Sequence, residues 1–427
     1  MLDKSIYKII YKKYDGDYFD NIKTSKALGY YQKNHFCEMF WNAAKESSVA
    51  TSEKVIKQYI SSRGYDLNLP FFRDFCQCSC EQNACEKNVL YEKLLTSDSV
   101  KNIEFVRRSD WEKVIYLVFT QKMFRLGEYI RKRYVDYLQR NGTFRDKFCI
   151  LIEVGKYDEA KRLLEESSLY HIKKIMGMKL ISKYVNAIPG WKCESEGYPY
   201  YDRRFLKILG DKQVAIIGPS DNGDHYEIDA DNTVVIRFAY FENKDGKNKT
   251  NISYYNGLHS VRMEENGKVP DGISQCIFKY KRDTRFRKML YKTGFGRMAR
   301  WSLNIMIPGC SPNMLQITLA DLLHYTDRIT VYDSNLYINN LYRPGYASND
   351  LLSEMSDYKK DSMFAQHDII GNFLYTQSLY INGFFEADNK LSSILKMDSE
   401  EYAFQMELNN GFLEVPNENS SGNSGKI

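Results

Sequence analysis

Apolar residues recur at helical spacing through roughly the first 185 positions, and the pattern gives way to short β-branched runs beyond about 190. In the first stretch Ser109-Asp110 offers an N-cap. Val114, Ile115, Val118 and Phe119 follow at helical spacing, and the segment runs towards Leu138 before Asn141-Gly142 breaks it. Phe148, Ile150, Leu151 and Ile152 begin a second hairpin that turns at Gly155. It continues as the amphipathic run Tyr157-Asp158-Glu159-Ala160-Lys161-Arg162-Leu163-Leu164. This unit reads as one tetratricopeptide-type turn, with Gly155 at the corner and Ala160 allowing close approach. A solenoid needs at least three stacked repeats and no sustained period is present, so an all-helical accessory domain is expected over 1–188.

Around Ile188-Pro189-Gly190-Trp191 the texture changes. Strands are expected at 214–217, 233–237, 251–255, 275–278, 303–307 and 329–332, separated by turns and helical stretches. Short apolar strands alternating with helices predict an α/β domain over 195–412. Its sheet should be mostly parallel and Rossmann-like, covered on both faces, with ligands at the carboxyl ends of the strands. The final segment, PNENSSGNSGKI, is polar and rich in Gly and Ser, so a disordered tail is expected over 413–427.

At 427 residues the chain exceeds the ~100–200 usual for one domain, which agrees with two. Hydrophobic residues at 43% and charged residues at 27% are ordinary globular values, so a packed core is affordable and low-complexity classes are excluded. The N-terminus lacks the apolar stretch of a secretory signal and no window offers the ~18 apolar residues of a spanning helix, so a cytoplasmic protein is expected. Nine cysteines, an odd number, then read as mostly reduced thiols. Cys76, Cys78, Cys80 and Cys85 form a local string without the second knuckle of a zinc site, so no metal is assigned to them.

The net charge of +5 suits an anionic small ligand or a membrane-surface contact better than a nucleic-acid coat, and no RNP, KH or zinc-finger pattern accompanies it. The basic run Lys279, Lys281, Arg282, Arg285, Arg287 and Lys288 reads first as a solvated helix face or loop. Its functional reading is attraction of an anionic glycan or a phospholipid surface.

Residues 213–241, QVAIIGPSDNGDHYEIDADNTVVIRFAYF, carry the most chemistry. A buried strand, Val214 to Ile217, ends in Gly218-Pro219-Ser220, where backbone N–H groups and the Ser220 hydroxyl can face a phosphate or ribose. G-x-G-x-x-G is absent, which disfavours a dinucleotide dehydrogenase. Asp229-Ala230-Asp231 matches the D-x-D of metal-dependent nucleotide-sugar transferases, a match common by chance, and reads here as a turn.

Three segments, in order, resemble the sialyltransferase superfamily. VAIIGPS with EIDADNTVVIRF resembles the L-sialylmotif, which binds the CMP part of the donor, and IRFAYFENKDGKNKTNISYYNG resembles bacterial lipooligosaccharide sialyltransferases. Residues 308–337, PGCSPNMLQITLADLLHYTDRITVYDSNLY, resemble the S-sialylmotif, and QHDIIGNFLYTQSLYINGFF resembles the very short one, in which His followed by Asp opens a helix. Pro219 and Ala239 stand where both the eukaryotic-type and the bacterial lipooligosaccharide enzymes commonly carry Asn, Ser311-Pro312-Asn313 replaces the usual Ser-x-Gly, and Asn372 stands near the place of an acidic residue.

The resemblance implies a sialyltransferase-like variant of the GT-A fold. It implies metal-independent, inverting transfer of sialic acid or a related keto-sugar such as Kdo from its CMP ester to a saccharide hydroxyl. His367 would be general base, and Tyr337 and Tyr342 would stabilise the leaving phosphate. Gly218, Ser220, Asn222, Arg237, Asn256, Ser311 and Asn313 would hold the donor. No cofactor beyond the CMP-sugar substrate is expected. The partner is a saccharide acceptor, with a lipid-linked one placing the enzyme peripherally at the membrane. With 34 tyrosines in the chain, the plainer role for Tyr337, Tyr342 and Tyr346 is loop packing. The alternative is a non-catalytic helical-repeat interaction protein whose nucleotide-binding half has degenerated.

Overall fold

Val214, Ala215, Ile216 and Ile217 are all buried, as expected of a central strand covered on both faces. In the computed structural model this strand, β1 (Gln213–Ile217), lies in the interior of a seven-stranded sheet with the order β5-β4-β3-β2-β1-β6-β7. The other strands are β2 (Thr233–Phe238), β3 (Ile252–Tyr255), β4 (Gln275–Phe278), β5 (Gly296–Met298), β6 (Ile329–Tyr332) and β7 (Glu386–Ala387). Every neighbouring pair is parallel. The order reverses between β1 and β6, which makes the crevice beyond their carboxyl ends a topological switch point, the usual ligand position in open α/β sheets.

The model describes residues 27–61, 68–167, 182–190, 200–220, 227–241, 250–280, 283–300, 312–338, 346, 353 and 355–413. Asn222, Ser311, Tyr342, the expected strand at 303–307 and residues 414–427 of the expected tail lie outside them. Among the described residues no helix is long and apolar enough to cross a membrane.

The chain divides into two compact units, Met1–Tyr134 with Gly411–Ile427, and Val135–Asn410. In the first, helices α1 (Ala27–Lys45), α2 (Val49–Ser61), α3 (Leu69–Cys80), α4 (Ala84–Thr96), α5 (Asp98–Lys101), α6 (Arg108–Thr120) and the first part of α7 (Phe124–Asn141) surround an aromatic core. Phe40, Phe71, Phe72, Phe75, Phe105 and Trp111 are buried there, and the Trp111 indole donates to the Phe105 carbonyl at 2.8 Å. The helical segment read through 110–138 forms two helices, α6 and α7, separated by a turn at Lys122 (φ 61°). Arg107, not Ser109-Asp110, is the N-cap of α6, and Asp110 instead accepts the Tyr59 hydroxyl at 2.5 Å. Cys76, Cys78 and Cys80 are buried along α3 and Cys85 is exposed on α4. Burial raises the Cys76 and Cys80 thiols, which keeps them protonated.

The hairpin α8 (Phe144–Glu153) and α9 (Tyr157–Glu166) forms as read, with Gly155 at φ +75° and Ala160 fully buried. It packs with the sheet unit. The Tyr157 hydroxyl lies 2.9 Å from Ser378 Oγ and its ring meets Phe384 edge-on. Contacts therefore divide the chain well before the change of texture near 188, because that change marks a switch of secondary structure and not of packing. Likewise Phe412 stacks edge-on against Tyr91 and returns the chain to the first unit.

The second unit adds the described helices α10 (Ser182–Val185), α11 (Tyr200–Leu209), α12 (Gly257–Asn266), α13 (Arg285–Thr293), α14 (Met314–Leu322), α15 (Asp357–Gln366), α16 (Ile369–Ile381), α17 (Asn389–Leu395) and α18 (Ser399–Asn409). A buried ion network ties α11, β3, β5 and α14 together. Arg297 pairs with Asp321 and, at 3.5 Å, with Asp202; Arg300 pairs with Asp202 at 2.6 Å; Tyr254 donates its hydroxyl to Asp321 at 2.6 Å. The Arg297 guanidinium also lies 3.9 Å from the centre of the Phe205 ring.

Candidate active site at the carboxyl edge of the sheet

The loops leaving β1 and β6 close directly on one another. The Gly218 N–H donates to the Tyr332 carbonyl at 2.8 Å and the Ser220 N–H to the Asp333 carbonyl at 3.0 Å. A Cβ at Gly218 would lie 2.1 Å from the Asp333 oxygen, so only glycine allows this approach. This corrects the expectation that the N–H groups of the 218–220 turn face a phosphate: both are taken by the β6 exit and Pro219 has none. Any contribution of this turn to a ligand then falls to the Ser220 hydroxyl.

Beyond β6 the chain is held in an unusual path. Asp333, Leu336 and Tyr337 have φ of 53°, 46° and 71°, and Asp368 has 42°. Ala239, immediately after β2, has 48°. These five are the non-glycine residues with positive φ among the described residues of the second unit, and all stand at strand carboxyl ends or at the start of α16. Backbone strain of this kind is retained where surrounding contacts over-determine it, typically at functional sites. The left-handed region also gives a physical reason why Asn suits position 239, since Asn tolerates it better than Ala.

Two helices return from this edge. Helix α14 starts at Asn313, which occupies the N-cap yet makes no capping bond. Its Oδ1 accepts the Tyr337 hydroxyl at 2.7 Å instead, and its N–H donates to Asn372 Oδ1 at 3.0 Å. Helix α16 starts at Asp368, whose carboxylate caps it by accepting the Gly371 N–H at 3.2 Å. His367, half-buried, is the last residue before this start. Its ring lies nearly parallel to that of Tyr337, at 23° and 6.5 Å between centroids, and Tyr337 meets Phe364 edge-on at 6.2 Å. The Asn410 amide at 3.2 Å holds the Tyr337 carbonyl.

His367, Tyr337 and Asn313 are thus brought together, and Gly218 and Ser220 join them through the β6 exit. Arg237 is buried at the end of β2, beside Ile217 of β1 and Ser253 of β3. Asn256 follows β3 on the same edge and caps α12. Its Oδ1 accepts both the His259 N–H at 2.9 Å and the His259 ring Nδ1 at 2.8 Å. The backbone donor fixes Oδ1 towards the helix, so the ring must carry its proton on Nδ1, and the carboxamide NH₂ faces the other way.

Burial, and secondarily the Arg262 charge, push the His259 imidazole down to about 4. The unfolded chain therefore takes up this proton first, near pH 6.5, and the native state only near 4. Stability from this group is complete above pH 6.5 and falls through that window, by about 3 kcal/mol in total. Replacing His259 with Gln is expected to flatten the fall between pH 6.5 and 4, read as the denaturant midpoint against pH.

Lys279 corrects the solvated reading of the basic run. It directly follows β4, is buried, and donates from Nζ to the Pro312 carbonyl at 2.7 Å, next to Asn313. Burial lowers its amine to about 7. Arg287 is also buried, donating to Glu264 at 2.8 Å, while Arg285 and Lys288 are exposed and Lys281 and Arg282 lie outside the described residues. The D-x-D residues Asp229 and Asp231 precede β2, at the opposite edge from His367. Asp229 accepts from the Asp231 and Asn232 N–H groups and from the Asn232 amide, which makes it a turn.

Lys279 and His259 escaped the sequence reading as members of this edge, and Asn372 was noted only as standing near the place of an acidic residue. Position could have flagged the first two: Lys279 is the first residue past an apolar strand, and His259 is three residues past an N-cap Asn. No family model, curated protein or solved structure matches the chain.

Proposed function

We propose that the chain is an inverting glycosyltransferase that moves sialic acid, or a related keto-sugar such as Kdo, from its CMP ester to a saccharide hydroxyl. The fold would then be a sialyltransferase-like variant of GT-A. The observation that carries this reading is the meeting of His367 with Tyr337 and Asn313, the latter two from opposite ends of the 308–337 segment, at the carboxyl edge of a parallel sheet beside its switch point.

In this reading the acceptor oxygen attacks the anomeric carbon from the face opposite the nucleotide while His367 takes its proton. The bond from the anomeric carbon to the phosphate oxygen breaks and CMP leaves. The Tyr337 hydroxyl, which donates to Asn313 Oδ1, would turn to donate to the departing phosphate, with Tyr342 assisting. The start of α14 places further N–H donors and the helix dipole beside that charge. Ser220, Asn222, Arg237, Asn256 and Ser311 complete the donor site, and Lys279 fixes the turn from behind. A lipid-linked acceptor would bring the enzyme to the membrane surface.

A screen of CMP-activated sugars, read as CMP release with and without EDTA, tests the proposal. Release that depends on one keto-sugar and an acceptor and resists EDTA supports it; no release from any of them counts against it. The closure of the 218–220 turn on the β6 exit favours a second reading, a scaffold that no longer binds nucleotide. That scaffold would show no thermal shift with millimolar CMP.

A further inference from the structure

Asn372 lies one turn into α16 and is 2% exposed. Its carboxamide reaches two pieces of the site at once. Oδ1 accepts the Asn313 N–H at 3.0 Å, and Nδ2 donates to the carbonyls of His367 and, at 3.2 Å, Asp368. The turn has a specific need for that donor. In a continuous helix the His367 carbonyl would accept the Gly371 N–H, but the Asp368 carboxylate takes that N–H as the cap of α16. The amide of Asn372 stands in its place. The backbone at Asn372 is held as well, since its carbonyl accepts the Thr376 hydroxyl of the same helix at 2.7 Å and the Gln316 amide of α14 at 3.4 Å.

We infer that Asn372 is a positioning residue that sets the His367 turn against the start of α14, so that the imidazole and the Asn313–Tyr337 pair keep a fixed separation. This inference rests on the proposed glycosyl transfer, with His367 as base. The two ends of the amide do separable work. The oxygen serves the Asn313 side, where the nucleotide would sit, and the nitrogen serves the base.

That asymmetry supplies the test. Asn372→Asp keeps an oxygen for the Asn313 N–H and loses both donors to the His367 turn, whereas Asn372→Ala loses both ends. N372D is expected to lower the transfer kcat about 100-fold and to raise donor hydrolysis relative to transfer, with the CMP Kd within about twofold of wild type. N372A is expected to weaken CMP binding as well. Wild-type transfer by N372D, or an equal fall of kcat and CMP affinity in it, overturns the assignment.

Histidine-labelled NMR separates this from the function itself. The His367 ring signal, identified by its loss in His367→Ala, should move in N372D while those of the other five histidines stay in place. If N372D does not fold, N372A is read the same way. An unmoved His367 signal refutes the positioning role even in a chain that proves not to use CMP-sugars, and absent CMP binding in the wild type refutes the proposed function alone.

Discussion

His367→Ala is expected to lower glycosyl transfer by roughly 10²–10⁴-fold while CMP affinity changes by less than about twofold. The expected split follows from the bonds that order the rest of the edge. The imidazole faces the Tyr337 ring from the turn between α15 and α16. The bonds that order the rest of the edge run elsewhere: Tyr337 to the Asn313 side chain, the Asn313 N–H to Asn372, and Asn372 to the backbone carbonyl of residue 367, which alanine retains. In the proposed reading, removing the ring takes away the proton acceptor and leaves these bonds on the nucleotide side in place. Steady-state kinetics beside calorimetric CMP titration read the two quantities separately, and an equal loss of both would place His367 in binding and not in proton transfer.

The second large effect concerns the frame beneath the site. Asp321→Ala is expected to destabilise the sheet unit by about 3–5 kcal/mol, read from the denaturant midpoint. Asp321 accepts from Arg297, from the Tyr254 hydroxyl at 2.6 Å and from the Arg300 N–H at 2.7 Å, and both it and Arg297 are fully buried. Its loss leaves Arg297 with Asp202 at 3.5 Å as its remaining carboxylate. A charge stranded in the interior costs more than the pair contributed, so joint replacement, R297M with D321L, should recover at least half of the loss. If the double variant is as unstable as D321A, shape and not charge governs this junction. Because Asp321 lies on α14, the helix that begins at Asn313, D321A should also weaken CMP binding.

How much of this was legible depends on what each residue does. Strands β1 to β4 and β6 read correctly because each is a short, mainly apolar run rich in β-branched or aromatic residues. Strand β5 did not, since its middle residue is Arg297, a charge made acceptable by carboxylates far away in sequence. Strand β7, only Glu386-Ala387, is too short to show a pattern.

At the site, His367, Tyr337 and Asn313 were singled out through the resemblance of the segments that hold them, while their mutual contacts were not visible in the sequence. Lys279 was hidden among other basic residues, because a run of charges does not show which member is buried. The role of Asn372 depends on the Asp368 cap taking a backbone N–H, which exists only once the helix has formed. The 218–220 turn misled for a related reason: its N–H groups are spent on β6, a neighbour more than 100 residues on, set by sheet order.

The most direct measurement is calorimetric titration of CMP into the full chain, repeated with Tyr337→Phe and with Asn313→Ala. The account predicts saturable binding at one site, weakened about tenfold or more by each replacement, because in the proposed reading both groups would stand beside the phosphate. No heat and no thermal shift at millimolar CMP, or binding indifferent to both replacements, would contradict it.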